Sequence, residues 1–331
     1  MQETYFKALR VQESTDKTFT RKVEQRQIKD LPDGELLVNV SYAALNYKDA
    51  LSAIGNKGVS RHYPHTPGID AAGIVAESTN ENFKAGEEVI VTSYDLGMNT
   101  DGGFAEYIRV PAAWVVKKPA SLSLYESMVI GTAGFTAALA LYKMEKMGQQ
   151  SAMGSVLVTG ASGGVGSLAV AILSKAGYEV IASTGKTEAH KYLSRLGARQ
   201  CVDRAFANDD SRRPLLKPQW AAAIDTVGGN TLVTALKACK RAGTVASCGL
   251  VGSPKIEATV FPFIINGVNL IGVDSANCEM NIRQQVWDQL AQDWKPEHLS
   301  SIATDCSLEE LDPYIDQILA GKVRGRVIVG M

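Results

Sequence analysis

Residues 156–173, VLVTGASGGVGSLAVAIL, place a β-prone apolar run, four glycines and a helix-prone apolar run in one short stretch. Few folds accept that order. A strand that turns through glycines directly into a helix leaves backbone N–H groups uncovered at the helix start. Such a terminus binds phosphate when no side chain blocks the approach. Gly163 is expected to allow that approach, and Gly166 to let the helix pack tightly on the sheet. The first glycine of the G-x-G-x-x-G pattern is replaced by Ala161, with Gly160 one position earlier, so the tight turn is built differently here. We expect a dinucleotide pyrophosphate on the backbone of Ser162, Gly163, Gly164 and Val165.

The motif is weak alone and gains weight from its surroundings. After the helical run YESMVIGTAGFTAALALYKM, strand-like and helix-like segments alternate: SVLVTG, SLAVAILSKAG, YEVIAST, TEAHKYLSRLGA, QCVD, AAAIDTV, NTLVTALKACKRAG and TVASCG. That rhythm predicts βαβ units with a parallel sheet. Gly177, Gly197 and Gly243 are expected to end its helices, and NLIGVDS to add a sixth strand. An NAD site would carry an acid at the end of the second strand, to hold the ribose 2′-hydroxyl. The chain has ASTGKTE there, so Ser183, Thr184, Gly185 and the cation Lys186 take that place, and Glu188 falls too late. Arg204, after the third strand, is expected at the same edge. These groups suit a 2′-phosphate, hence NADPH.

Before Leu124 the pattern differs. ELLVNVSY, AAGIVAES, EEVIVTSY and AEYIRVP are separated by Gly and Pro turns, as in an irregular β barrel or sandwich. At 331 residues the chain suits two domains, expected to flank a cleft. With a net charge of −1 nothing suggests a nucleic-acid footprint, which would need a basic domain or stripe. The start has no signal-peptide core, and no segment approaches the ~18 uninterrupted apolar residues of a membrane span, so a cytoplasmic protein is expected. The five cysteines include no C-x-x-C pair and are read as reduced.

The order of parts, and the stretches ALNYKDAL (44–51), PGIDAAGIV (67–75), IGTAGFTA (130–137), VTGASGGVG (158–166), AIDTVGG (223–229), VFPFIINGVNLIGVDS (260–275) and GRVIV (325–329), resemble the acryloyl-CoA reductase group in the quinone-oxidoreductase branch of the medium-chain dehydrogenase/reductase superfamily. The resemblance spans essentially the whole chain. It implies a two-domain α/β fold: a GroES-like irregular β-barrel catalytic domain over 1–122 and 267–331, and a Rossmann-type doubly wound domain over 123–266. It also implies NADPH and a homodimer paired by the cofactor domains. Where that group carries a tryptophan-containing loop and His-Trp-Gly-Gly, this chain has TSYDLGMNTDGGFAEY, with Tyr94, Thr100 and Asp101, so its substrate pocket differs.

Zinc-dependent members of the superfamily hold their metal with cysteine and histidine. No cysteine precedes Cys201, and His62 and His65 have no thiolate partner in the first lobe, so no metal is expected. Turnover should therefore survive exhaustive chelation; loss on chelation that zinc reverses would contradict this. The resemblance then implies hydride addition to an electron-poor C=C, with acryloyl-CoA giving propanoyl-CoA. Such a reaction needs donors for the enolate oxygen and a proton for the α-carbon. LNYKD supplies the candidates: Asn46 and Tyr47 as donors, the latter also beside the nicotinamide, and Lys48 and Asp49 as charge or orienting groups. Asp70 is a further orienting candidate. By the same resemblance Leu250, Ile264, Ser275 and Arg326 meet the cofactor, and Lys57 and Arg61 are candidates for the coenzyme A phosphates. Two alternatives stay open: an NADPH:quinone oxidoreductase, and a cofactor-binding structural or sensor protein without turnover.

Overall fold

The computed structural model describes residues 4–331. One compact unit holds the residues up to Thr132 with Ala276–Gln285 and Leu299–Met331; the other holds Ala133–Ser275 and Val286–His298.

In the first unit a hairpin of β1 (Tyr5–Glu13) and β2 (Phe19–Gln27) precedes β3 (Leu36–Leu45), α1 (Tyr47–Ala53), β4 (Asp70–Ser78), β5 (Glu88–Thr92), β6 (Tyr107–Val110) and β7 (Val115–Lys117). Alternation sends Leu36, Val38 and Val40 of β3, Ala71 and Val75 of β4, Val89 and Val91 of β5, and Ile108 and Val110 of β6 into one core. Next comes α2 (Leu124–Lys146), read from the sequence as one uninterrupted helix. It is broken at Gly131, whose φ of 47° and ψ of −157° are not helical. The segment is long and apolar enough to cross a membrane, which the sequence reading did not anticipate, but most of it is buried inside the protein, as in a core helix.

The second unit runs through β8 (Val156–Val158), α3 (Gly164–Lys175), β9 (Val180–Thr184), α4 (His190–Arg195), β10 (Ala198–Asp203), β11 (Trp220–Asp225), α5 (Gly229–Lys237), β12 (Cys239–Ser247), α6 (Phe261–Asn266) and β13 (Asn269–Gly272). Its strands form one six-stranded sheet in the order β10-β9-β8-β11-β12-β13, parallel throughout. This is the doubly wound order, whose direction reverses between β8 and β11, where such sheets take their ligand. Gly177 and Gly197 end helices with φ of 83° and 102°. Gly243 does not: it lies inside β12, where a Cβ would stand 2.2 Å from the Ala221 carbonyl oxygen of the neighbouring strand. The boundary expected at 267 also moves. Because β13 pairs with β12, the chain rejoins the first unit only at Ala276.

The tail supplies α7 (Met280–Leu290), β14 (Ala303–Ser307), α8 (Asp312–Leu319) and β15 (Arg326–Gly330). In the first unit's sheet, of order β14-β15-β3-β4-β5-β7 with β6 also on β3, β15 lies antiparallel to β3. Val327 and Val329 pack with Ala50 and Ala53 of α1 and with Leu311 and Ile315 of the tail. The register sets Val327 opposite Leu45, Ala71 opposite Ala43, and Asp70 opposite Thr92. The end of β3, the start of β4, the end of β5 and the start of β15 therefore meet at one edge of the sheet.

Candidate functional site

At that edge Asp70 is fully buried and collects the polar groups of three other segments. Its Oδ2 accepts from Asn46 Nδ2 at 2.8 Å, Thr132 N at 2.9 Å and Arg326 Nη2 at 3.2 Å, and its Oδ1 from Thr132 Oγ1 at 2.5 Å. Arg326 also donates to Asn46 Oδ1 at 2.9 Å and to the Leu45 carbonyl. Its buried Nε has no partner among the described residues. Burial opposes the charge on Arg326, which Asp70 and Asp49 favour, and the balance lowers its pKa from the ordinary value.

This geometry corrects two expectations. The Asn46 amide, expected to donate to substrate, gives its hydrogens to Asp70 and to the Ala44 carbonyl at 3.1 Å. Arg326, expected to reach the cofactor, is spent inside this cluster. Asp49 is likewise an internal anchor. Its carboxylate accepts from the backbone N–H of Asn46 at 2.8 Å, Ile69 at 2.8 Å and Gly68 at 3.2 Å, tying the start of α1 to the start of β4. Burial first, then the charge of Asp70, pushes its pKa up to about 7 against the pull of those donors.

Tyr47 and Lys48 are the members of this stretch whose polar ends have no partner among the described residues. Tyr47 opens α1 and is 44% exposed. The residue before it, Asn46, has its backbone N–H and both ends of its side-chain amide engaged. The arrangement presents one free phenol on a rigid base.

Ser93 and Tyr94, in the loop that departs from the family pattern, both have left-handed backbones, with φ of 64° and 51°. For residues with a side chain this costs ~1–3 kcal/mol each and persists only where the surroundings impose it. Here Ser93 N donates to the Ile69 carbonyl at 2.7 Å and Tyr94 N to that of Ala276 at 3.1 Å. The Tyr94 hydroxyl donates to the Cys278 carbonyl at 2.9 Å, and its ring stacks on Trp114. Ser93 Oγ lies 2.9 Å from Thr132 Oγ1. Composition gave no hint of Ser93 or Thr132, although Thr132 sits in the quoted IGTAGFTA.

Other candidates in this unit do not converge. His65 is buried with Nε2 2.9 Å from the Gly97 carbonyl oxygen, its pKa lowered chiefly by burial. His62 is exposed, and no group of three or more metal-ligating side chains occurs among the described residues. Lys57 is exposed, pairs with Glu13 at 2.5 Å and lies over the Tyr63 ring. Arg61 is exposed.

In the second unit the glycine turn follows β8 at the switch point. Gly163 caps α3 with no side-chain bond, and among the described residues beyond its chain neighbours, only the Gly160 carbonyl oxygen, at 3.4 Å, comes within 4 Å of where its Cβ would stand, so the approach is clear. A Cβ on Gly166 would lie 2.3 Å from that same oxygen and 2.6 Å from Ala161 Cα. Gly166 is thus the contact between helix and turn. Gly166→Ala should cost about 1–3 kcal/mol in denaturant unfolding; unchanged stability would show that the turn yields. Ser162 Oγ lies 2.9 Å from Thr184 Oγ1, which accepts from Lys186 N at 3.2 Å, so the turn and the end of β9 are held together. Ser183 is buried, its carbonyl accepting from Ala161 N at 3.0 Å.

Arg204 is exposed and lies against Gly185: a Cβ there would be 2.2 Å from Arg204 Nη2. The structure therefore brings the third-strand arginine to the second-strand end. Leu250 and Ile264 are 64% and 68% exposed, open apolar surface for residues of their size. Ser275 accepts from Thr136 Oγ1 at 2.7 Å. Sequence reasoning did not single out Asp225. It is buried at the end of β11, accepts from Thr159 Oγ1 and Gly228 N at 2.7 Å each, and has its pKa raised chiefly by burial. Its carbonyl accepts from Cys248 N, which ties the ends of three neighbouring strands.

Comparison with known proteins adds to this geometry. The family model for the alcohol dehydrogenase GroES-like domain matches residues 32–120, and that for zinc-binding dehydrogenases matches 164–292. The chain is 45% identical over 327 residues to the putative quinone oxidoreductase YhfP of Bacillus subtilis, covering 98% of this chain and 99% of the relative. It is 43% identical over 307 residues to the acrylyl-CoA reductase AcuI of Ruegeria pomeroyi, covering 93% of each. The crystal structure of B. subtilis yhfP with NAD bound superposes with a TM-score of 0.97 at 45% identity, over 99% of this chain and 100% of that one. The yhdH oxidoreductase of Salmonella enterica in complex with NADP gives 0.95 at 41% identity, over 98% and 99%.

Proposed function

We propose, for a chain that belongs to the quinone-oxidoreductase branch of the medium-chain dehydrogenase/reductase superfamily, an NADPH-dependent reduction of an activated C=C bond, with acryloyl-CoA converted to propanoyl-CoA in the cytoplasm. The observation that carries this reading is the free phenol of Tyr47 on a fully anchored helix start. The relative named an acrylyl-CoA reductase supports the substrate class, and the relative crystallised with NADP supports the cofactor.

The second unit's residues fit NADPH. Ser162, Gly163, Gly164 and Val165 offer an unblocked helix terminus to the pyrophosphate. Thr184 and Gly185 shape the ribose edge, and Lys186 and Arg204 supply positive charge for a 2′-phosphate. Leu250, Ile264 and Ser275 are assigned to the nicotinamide end. Bound there, NADPH supplies a hydride to the β-carbon of the enoyl thioester. Tyr47 donates a hydrogen bond to the thioester oxygen as it gains negative charge, and Lys48 adds a cation on the same helix turn. Asn46, Asp49, Asp70 and Arg326 hold that turn still, so that little reorganisation is needed as charge develops. The α-carbon takes its proton from solvent or from a neighbouring group.

β13 is the outer strand of its sheet, and Phe261, Ile265 and Leu270 around it are exposed. An open edge beside apolar surface supports a homodimer formed through this unit. The substrate assignment is tested by NADPH oxidation with acryloyl-CoA and, separately, with a benzoquinone. Faster turnover of acryloyl-CoA is expected; turnover of the quinone alone would replace this reading with a quinone reductase, for which the open Leu250 and Ile264 surface is suited.

A further inference from the structure

We propose that Thr132 is a positioning residue for Tyr47, acting through Asp70 and Asn46; the proposal rests on the role given to Tyr47 above. The break at Gly131 turns the next N–H away from its helix and onto Asp70. A Cβ at Gly131 would stand 2.5 Å from Asp70 Oδ2 and 2.8 Å from Arg326 Nη2, so the same residue also makes room for the cluster. Thr132 then gives Asp70 both its N–H and its hydroxyl. Because that hydroxyl proton is engaged by Asp70, Ser93 is the donor in the Ser93–Thr132 contact. The strained Ser93–Tyr94 backbone is what sets Ser93 there.

From Asp70 the chain of contacts continues to Asn46 Nδ2, and Asn46 caps α1 immediately before Tyr47. With its orientation fixed from three sides, Asp70 fixes the Asn46 amide, and the amide fixes the direction in which α1 leaves the sheet. Thr132 is linked to the residue before Tyr47 through Asp70. Its effect on turnover is therefore expected in geometry, where small misplacements are costly.

The test compares Thr132→Val, which keeps shape and N–H but removes the hydroxyl, with Thr132→Ser, which restores it. Thr132→Val should lower kcat with acryloyl-CoA by roughly ten- to a hundredfold, leave NADPH affinity within about twofold, and speed amide hydrogen exchange in α1 but not in α3. Thr132→Ser should return both kcat and exchange close to wild type. Wild-type exchange in α1 of Thr132→Val, or a Thr132→Ser no better than Thr132→Val, overturns the proposal. Loosened α1 with serine rescue, beside a Tyr47→Phe enzyme of normal turnover, upholds the positioning and overturns the assignment of Tyr47 instead.

Discussion

Tyr47→Phe is expected to lower kcat with acryloyl-CoA by about 10²–10³-fold, the loss seen when one donor to a developing oxyanion is removed, while NADPH affinity changes little. The substitution deletes one oxygen. Because Tyr47 is exposed and its hydroxyl bonds to nothing among the described residues, no buried partner is stranded and folding stability should hold. This separates it from changes at Asn46, Asp49 or Asp70, which would break the cluster beneath and confuse catalysis with folding. Steady-state kinetics with thermal unfolding of the same samples check the outcome. Unchanged turnover would make Tyr47 a bystander at the helix start.

Lys186→Ala combined with Arg204→Ala should weaken NADPH binding by about a hundredfold and leave NADH nearly unchanged. Each charge-assisted contact to a phosphate contributes roughly 1.5–3 kcal/mol, and the exposure of Arg204 pulls the pair toward the lower end. The glycine turn meets a pyrophosphate common to both cofactors and cannot tell them apart. Discrimination falls to the end of β9, whose own last residues carry no acid and where Arg204 lies against Gly185. The gap between the cofactors should narrow as salt is raised. Titration of wild type and variant with each cofactor decides it. A relative crystallised with NAD makes the comparison pointed: equal wild-type affinity for both would overturn the reading of this strand end.

Much of the second unit was legible because its chemistry is local. Gly166 must be glycine to touch the turn at its own strand end, and the absence of an acid after β9 is read from five consecutive letters. The position of Arg204 followed from the rule that third and second strands are neighbours. The strand rhythm before Leu124 marked β3, β4, β5 and β6 and missed the β1–β2 hairpin and β7. What stayed hidden depends on pairings far apart in the chain. Nothing near Asn46 says that its amide turns inward, because the groups that turn it, Asp70 and Arg326, arrive on other strands through a register no local pattern encodes. The break at Gly131 was invisible for a different reason: apolar residues run through it at helical spacing on both sides, and glycine alone does not stop a helix. Thr132 was missed with it, since its role exists only because the helix breaks there. Gly243 misled in the opposite sense, a glycine read as a helix end that is needed for close approach between two strands.

The central claim is hydride transfer to the β-carbon of an enoyl thioester. Acryloyl-CoA should be reduced with NADPH carrying deuterium at both C4 positions, and the product examined by mass spectrometry and NMR. Propanoyl-CoA with one deuterium on its β-carbon and a solvent-derived hydrogen on its α-carbon is expected. Unreacted acryloyl-CoA beside a benzoquinone that the same enzyme reduces rapidly, or deuterium at the α-carbon, would contradict it.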